Sequence, residues 1–324
     1  MPPATVEVHH TSEQAAQALR ADVIAGLTAT PKWLPPKWFY DDRGSELFEE
    51  ITRLPEYYPS AAEREILAAK ADELAAITEA TALVELGSGA PDKAHLLLRA
   101  LTGAGPLREY YPLDVSEHAL RETAHDIAAA YPWLRVHGLV ADFTSALTVP
   151  DGHRPRLVAF LGGTIGNLLP DERAKFLESV RNTLDTGEWL LLGSDLVKDR
   201  DTLVRAYDDD RGVTAEFNRN VLNVLNVELG ADFDPAAFDH RAEWNEQEEW
   251  IEMRLRATRA MRVTLPALNL VVDFAEGEEL RTEVSAKFRR NRVAAELTAA
   301  GFSLHSWWTD DEARFAVSLA RAAG

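Results

Sequence analysis

Between residues 61 and 200, short apolar runs alternate with amphipathic helical stretches, which limits the chain to a small set of folds. "AAEREILAAKADELAAI" (61–77) sets Ile66, Leu67, Leu74 and Ile77 at helical spacing. The run "ALVELG" then reads as a buried strand and is followed by a helix around "KAHLLLRAL". "EYYPLDVS" (109–116), "RVHGLVADF" (135–143), "RLVAFLGGTIGN" (156–167) and "EWLLLGSDLV" (188–197) repeat the strand signal. Helices through "EHALRETAHDIAAAY" and "DERAKFLESVRNTL" separate them. Five strand–helix units of this kind predict an α/β fold, a doubly wound parallel sheet covered on both faces.

After residue 200 the pattern changes. A helix over 212–230 ends on Gly230, a residue free to turn into the left-handed region. In "EWIEMRLRA", Ile251, Met253 and Leu255 alternate with charged residues, as in a half-buried strand, and "RVTLPALNLVVDF" (262–274) continues in that vein. A helix over 291–300 closes on Gly301, and "FSLHSWWTD" and "RFAVSLA" read as a final strand pair. The expected organisation is a core of 61–200 and 286–324, with 1–60 and 201–285 forming a second, substrate-binding lobe.

A net charge of −19 argues against a nucleic-acid partner, since such proteins present a basic face. The one dense basic cluster, "KFRRNR" (287–292), reads as the solvated start of a helix. The absence of cysteine excludes disulfides and thiolate chemistry, and the nine histidines show no paired spacing with an acid, so no metal is expected. Neither a signal peptide nor an apolar run of membrane-spanning length is present, so the expectation is a cytoplasmic protein without a membrane partner.

In open α/β sheets the ligand sits beyond the carboxyl ends of the strands. Here those ends carry Glu85 with Gly87 and Gly89, then Asp114, then Asp142 with Phe143, then Gly162 through Asn167. Acids recur while phosphate-binding elements are missing. The third glycine of a dinucleotide fingerprint is replaced by Asp92, whose carboxylate would repel a pyrophosphate, and Lys93 lacks the neighbours of a P-loop. S-adenosylmethionine suits such a set: Asp114 is placed for the ribose hydroxyls, Asp142 and the Phe143 backbone for the adenine, and Gly87 and Gly89 for the methionine part. A nicotinamide oxidoreductase is the main competitor on strand ends alone.

A longer series of motifs is more specific: "PPKWFYD" (35–41), "ITRLPEYYP" (51–59), "LVELGSG" (83–89), "TIGN" (164–167), "LLLGSDLVKD" (190–199), "RAYDD" (205–209), "GVTAEFNRNVL" (212–222), "TEVSAKF" (282–288) and "WWTD" (307–310). Together they resemble the L-histidine Nα-methyltransferases that form hercynine, the first intermediate of ergothioneine biosynthesis. The resemblance implies a class I (Rossmann-like) methyltransferase core and transfer of three methyl groups from S-adenosylmethionine to the histidine α-amine, by a monomer. It implies cofactor contacts from Gly87, Lys93, Asp114, Asp142 and Phe143. For histidine it implies Tyr57, Asn167, Tyr207, Glu283 and Ser285, with Tyr40 facing the amine and Met253 against the imidazole; Tyr40, Tyr57 and Asn167 are the expected catalytic group. The glycine turn departs from the family, continuing Ala90, Pro91, Asp92, Lys93, Ala94 where Thr-Ser-Glu-Lys-Thr is usual, which removes hydroxyls near the cofactor.

If extended, Glu283 and Ser285 project to one face, where a carboxylate and a hydroxyl can bond the two imidazole nitrogens. Two alternatives stay open: a methyltransferase for another amine or amino acid, and a non-catalytic cofactor-binding subunit of a partner.

Overall fold

The computed structural model describes residues 4–9, 11–88, 91–142, 147, 149 and 152–324. The chain divides into two compact units: Met1–His10, Pro59–Val197 and Phe288–Gly324 make the first, Thr11–Tyr58 and Lys198–Lys287 the second.

The first unit is built on an eight-stranded sheet. Its strands are β1 (Thr5–Val8), β3 (Ala82–Leu86), β4 (Glu109–Asp114), β5 (Arg135–Val140), β6 (Arg156–Phe160), β7 (Trp189–Asp195), β13 (Phe302–Thr309) and β14 (Phe315–Ala322). They lie in the order β1-β5-β4-β3-β6-β7-β14-β13. Neighbours pair in parallel except around β14, which is antiparallel to both β7 and β13. Apart from the β1 edge, this is the doubly wound class I methyltransferase core that the alternation and the motifs predict. β3 and β6 are buried at every position, as central strands of a sheet covered on both faces must be. Helices α3 (Tyr58–Thr78), α4 (Pro91–Ala104) and α5 (Glu117–Ala130) help cover it, and Ile66, Leu67, Leu97, Leu98, Ile127 and Leu157 share one apolar core. The strand order reverses between β3 and β6, so their carboxyl ends flank the crevice where such sheets bind ligands.

β1 is a correction. Residues 1–60 were expected to belong wholly to the second lobe, yet Thr5–Val8 pairs in register with His137–Val140 of β5. Its mostly exposed side chains give an edge strand no apolar signature.

The second unit carries a four-stranded sheet in the order β2-β12-β9-β8, from β2 (Lys32–Trp33), β8 (Phe238–Asn245), β9 (Trp250–Ala257) and β12 (Glu279–Ala286). The stretch 262–274 is a hairpin, β10 (Met261–Leu265) with β11 (Leu270–Phe274). Helices α1 (Ser12–Leu27), α2 (Asp42–Thr52), α7 (Arg200–Tyr207) and α8 (Val213–Leu229) pack on the strands through a second core that includes Leu47, Ile51, Phe217, Val221, Leu255 and Leu280. The remaining helices, α6 (Pro170–Thr183) and α9 (Arg290–Ala299), belong to the first unit.

Candidate functional site

In the first unit, β3 ends on Glu85 and Leu86, and the chain turns through Gly87 at φ +75°, a left-handed conformation that favours glycine. The Gly87 and Ser88 N–H groups donate to the Leu113 carbonyl at 2.8 and 3.1 Å, which ties this turn to the end of β4. Asp114 sits at that end. Burial pushes its carboxyl above the usual range, and the Ser116 N–H at 2.9 Å pulls it partly back. Deeper in, Glu85 is pushed up to about 7 by burial, opposed by the Tyr110 hydroxyl that donates to it at 2.5 Å. Asp142, half-buried, follows β5. Phe143, Gly89 and Ala90 lie outside the described residues.

Lys93 has a buried partner that sequence reading missed. Its ammonium is 2.5 Å from Glu63, a fully buried carboxylate on α3 that also accepts from the Gly162 N–H at 2.8 and 2.9 Å. Glu63 leaves no room for a side chain on β7: a Cβ at Gly193 would lie 2.1 Å from its oxygen. One carboxylate thus joins α3, α4 and the end of β6. With Lys93 neutralised in this way, the strand ends present Glu85, Asp114 and Asp142 as carboxyl groups. Such a set repels a pyrophosphate and suits a ligand with hydroxyls and positive charge. Ser88 adds a buried hydroxyl with no hydrogen-bond partner among the described residues. The residues therefore fit S-adenosylmethionine, whose ribose diol, ammonium and sulfonium supply both features. Asn167 closes the 3-10 turn Thr164–Asn167 after β6 and is half-buried.

In the second unit, Tyr40 precedes Asp41, the N-cap of α2, and the start of that helix is held tightly. Asp41 accepts from the Gly44 N–H and from Asn220 Nδ2, both at 2.7 Å. A Cβ at Gly44 would fall 1.7 Å from the Phe39 carbonyl oxygen, so only glycine allows this approach. The Tyr40 ring, 39% exposed, stands edge-on to Phe48 and Phe217, each at 5.6 Å. Phe48 in turn meets Tyr57, and Tyr57 meets Tyr207, each at 6.2 Å. Tyr40, Tyr57 and Tyr207 therefore belong to one aromatic wall.

Tyr207 ends α7, and its hydroxyl lies 2.8 Å from Ser285 Oγ on β12. Glu283 is two residues earlier on the same strand and in register with Met253 of β9, so Met253, Glu283 and Ser285 share a face. All three are buried. The register slips between Arg281 and Glu283, and the extra residue, Thr282, turns its hydroxyl towards Asn218 Oδ1 (2.6 Å) and the Met253 carbonyl (3.0 Å). This bulge sets Glu283 opposite Met253, on the face that Ser285 shares. Asn218 Nδ2 donates to the Arg254 carbonyl (3.1 Å) and to His240 Nδ1 (2.8 Å), and His240 Nε2 donates to the Tyr207 carbonyl at 2.8 Å. Burial holds His240 below its ordinary range, consistent with a neutral ring that accepts on Nδ1.

Lys287 corrects the reading of "KFRRNR". It is fully buried, and its ammonium donates to Tyr207 Oη at 2.8 Å and Ser285 Oγ at 2.9 Å. Only α9, which begins at Arg290, makes the solvated helix start.

Residues 19–322 match the histidine-specific, S-adenosylmethionine-dependent methyltransferase family. A histidine N-alpha-methyltransferase of Mycolicibacterium smegmatis is 54% identical over 310 residues, covering 95% of this chain and 96% of that one. One from Mycobacterium tuberculosis is 54% identical over 314 residues, covering 96% and 98%. Ergothioneine biosynthesis protein 1 of Neurospora crassa is 35% identical over 205 residues, 62% of this chain and 23% of that longer protein. With a family match across most of its length and relatives this similar end to end, the chain belongs to the histidine-specific, S-adenosylmethionine-dependent methyltransferases.

Proposed function

We propose that this enzyme transfers three methyl groups in succession from S-adenosylmethionine to the α-amine of L-histidine, forming hercynine, the first step towards ergothioneine. The observation that carries histidine as substrate is the buried face of β12, where Glu283 and Ser285 stand two residues apart beside Met253 and Tyr207. A neutral imidazole has one N–H to give and one lone pair to fill. Glu283 accepts the N–H, Ser285 donates to the other nitrogen, and Met253 packs on the ring. An apolar side chain there would shield the Glu283 carboxylate from water without giving it the N–H that an imidazole gives, a penalty that selects histidine.

The cofactor supplies an electrophilic methyl group on a sulfonium. Gly87, Asp114 and Asp142 are the cofactor contacts in this reading, with Lys93 acting on the cofactor loop through Glu63. Transfer to nitrogen is an in-line displacement that needs a neutral amine about 3 Å from the methyl carbon. The amine, with a pKa of roughly 8 or higher, must lose a proton in each round. Tyr40 and Tyr57 orient it by uncharged hydrogen bonds, which do not trap it as a paired cation.

The test is titration calorimetry of Glu283→Ala with histidine and with S-adenosylhomocysteine. Histidine affinity falls by about 100-fold, as for a lost charged hydrogen bond, while the cofactor product binds as in the wild type. Equal loss of both would remove Glu283 from the substrate site.

A further inference from the structure

Glu63 ties three elements of the first unit together, yet its charge goes beyond what a tie requires. It is fully buried on α3, and among the described residues its partners are two. The Lys93 ammonium stands at 2.5 Å, and the Gly162 N–H donates to both carboxylate oxygens at 2.8 and 2.9 Å. An amide oxygen could accept from Gly162 equally well, and burying an ion pair costs both partners their hydration. What an amide lacks is the charge that cancels Lys93.

Lys93 stands in the first turn of α4, the helix that follows β3, where its charge adds to the positive end of the helix dipole. A Cβ on Gly162, just past the end of β6, would be 3.8 Å from the Lys93 nitrogen. The ammonium therefore lies by the carboxyl ends of β3 and β6, where the strand order reverses. The charges there act on one another. The Glu85 carboxyl, raised chiefly by burial and lowered by Tyr110, is lowered further by the Lys93 charge and raised by Glu63 and Asp114. The cofactor and its product differ by one positive charge in such a field. S-adenosylmethionine carries a sulfonium, S-adenosylhomocysteine a neutral thioether, and both keep the same ammonium and carboxylate. A residue that alters the field changes the binding of one relative to the other, whereas a residue that alters only shape changes both alike.

We propose that Glu63 is a specificity-determining residue for the cofactor: it cancels the Lys93 charge, so that the crevice takes up the sulfonium cofactor without a cation to oppose it. The proposal rests on the placement of the cofactor at the ends of β3 and β6, beside Asp114.

The experiment is calorimetric titration of S-adenosylmethionine and of S-adenosylhomocysteine into the enzyme at pH 7.5. Histidine is left out, so no methyl group is transferred, and the quantity read is the ratio of the two affinities. Glu63→Gln keeps the side-chain volume and an oxygen for the Gly162 N–H, and leaves Lys93 unopposed. Its ratio is expected to shift against S-adenosylmethionine by about tenfold, the effect of one unit charge across a partly wet crevice. Glu85 absorbs part of the change, because it ionises more readily once Glu63 is neutral. Glu63→Asp keeps the charge and Glu63→Gln/Lys93→Met removes both charges, so each is expected to hold the wild-type ratio within about threefold, even where both affinities fall. An unchanged ratio in Glu63→Gln would show a merely structural role and overturn the proposal. Wild-type affinity for both ligands in Asp114→Ala would instead overturn the placement beneath it. Should Glu63→Gln fail to fold, the double variant decides: a ratio more than about threefold from wild type overturns the proposal, because an ion pair removed whole leaves the net charge as it was.

Discussion

Asn218→Leu tests how the second unit holds its histidine contacts. Asn218 is fully buried and joins three elements, bonding His240 Nδ1 at 2.8 Å, the Arg254 carbonyl at 3.1 Å and the Thr282 hydroxyl at 2.6 Å. Leucine fills a similar volume and makes none of these bonds. Thr282 keeps the Met253 carbonyl at 3.0 Å as a partner, so the main orphan is His240 Nδ1. An orphaned buried acceptor costs about 1–3 kcal/mol, and each further lost hydrogen bond about 0.5–1.5 kcal/mol. The expected loss of stability is therefore about 2–6 kcal/mol, read by urea unfolding. His240→Phe removes the orphan, so in the double variant the two costs should fall short of their sum by about 1 kcal/mol or more. Because His240 anchors the Tyr207 main chain, Asn218→Leu should also weaken histidine binding while leaving S-adenosylhomocysteine affinity unchanged. A stability loss below about 0.5 kcal/mol, strictly additive costs, or an equal loss of cofactor affinity would refute the reasoning.

Other outcomes follow from the first unit. Lys93→Met strands the fully buried Glu63 carboxylate, so it should destabilise the protein by about 3–5 kcal/mol in chemical denaturation. Glu63→Gln/Lys93→Met should recover much of that loss; no recovery would show that Lys93 acts through something other than Glu63. Glu85 has its folded pKa raised to about 7 from 4.5, so the folded state binds its proton more tightly. Its contribution to stability is complete below about pH 4.5 and is lost as pH rises through 7, about 3 kcal/mol in all. Urea melts of Glu85→Gln at pH 5 and pH 8 should show a much larger gain relative to wild type at pH 8 than at pH 5, and an equal effect at both pH values would contradict the raised pKa. Gly193→Ala, which would put a Cβ 2.1 Å from a Glu63 oxygen, should lower both stability and S-adenosylhomocysteine affinity in calorimetry.

The core was legible because a covered parallel sheet imposes continuous apolar strands on the sequence, and β3, β6 and β7 supply them. The strand-end acids were legible because the fold puts ligands there. The Glu283–Ser285 pair came from the resemblance, and a period of two then set both on one face. That same period, carried one step further, reaches Lys287. Ending the second lobe at 285 and joining Lys287 to the arginines that follow hid it, because a run of like charge says nothing about which member faces inward. Glu63 was hidden for a similar reason: on α3 it is one acid among several, and only the approach of Gly162 and Lys93 shows which one is buried. The Thr282 bulge and its link through Asn218 to His240 join residues far apart in the chain, so no local pattern announces them. β1 escaped notice because four residues on a sheet edge bury too little to leave a pattern.

The most direct test is mass spectrometry of small-molecule products after incubating the purified enzyme with S-adenosylmethionine and the twenty amino acids together. The expected result is histidine carrying three added methyl groups, with every other amino acid unchanged. Methylation of a different amino acid, or none of histidine, would contradict the assignment of the β12 face to the imidazole.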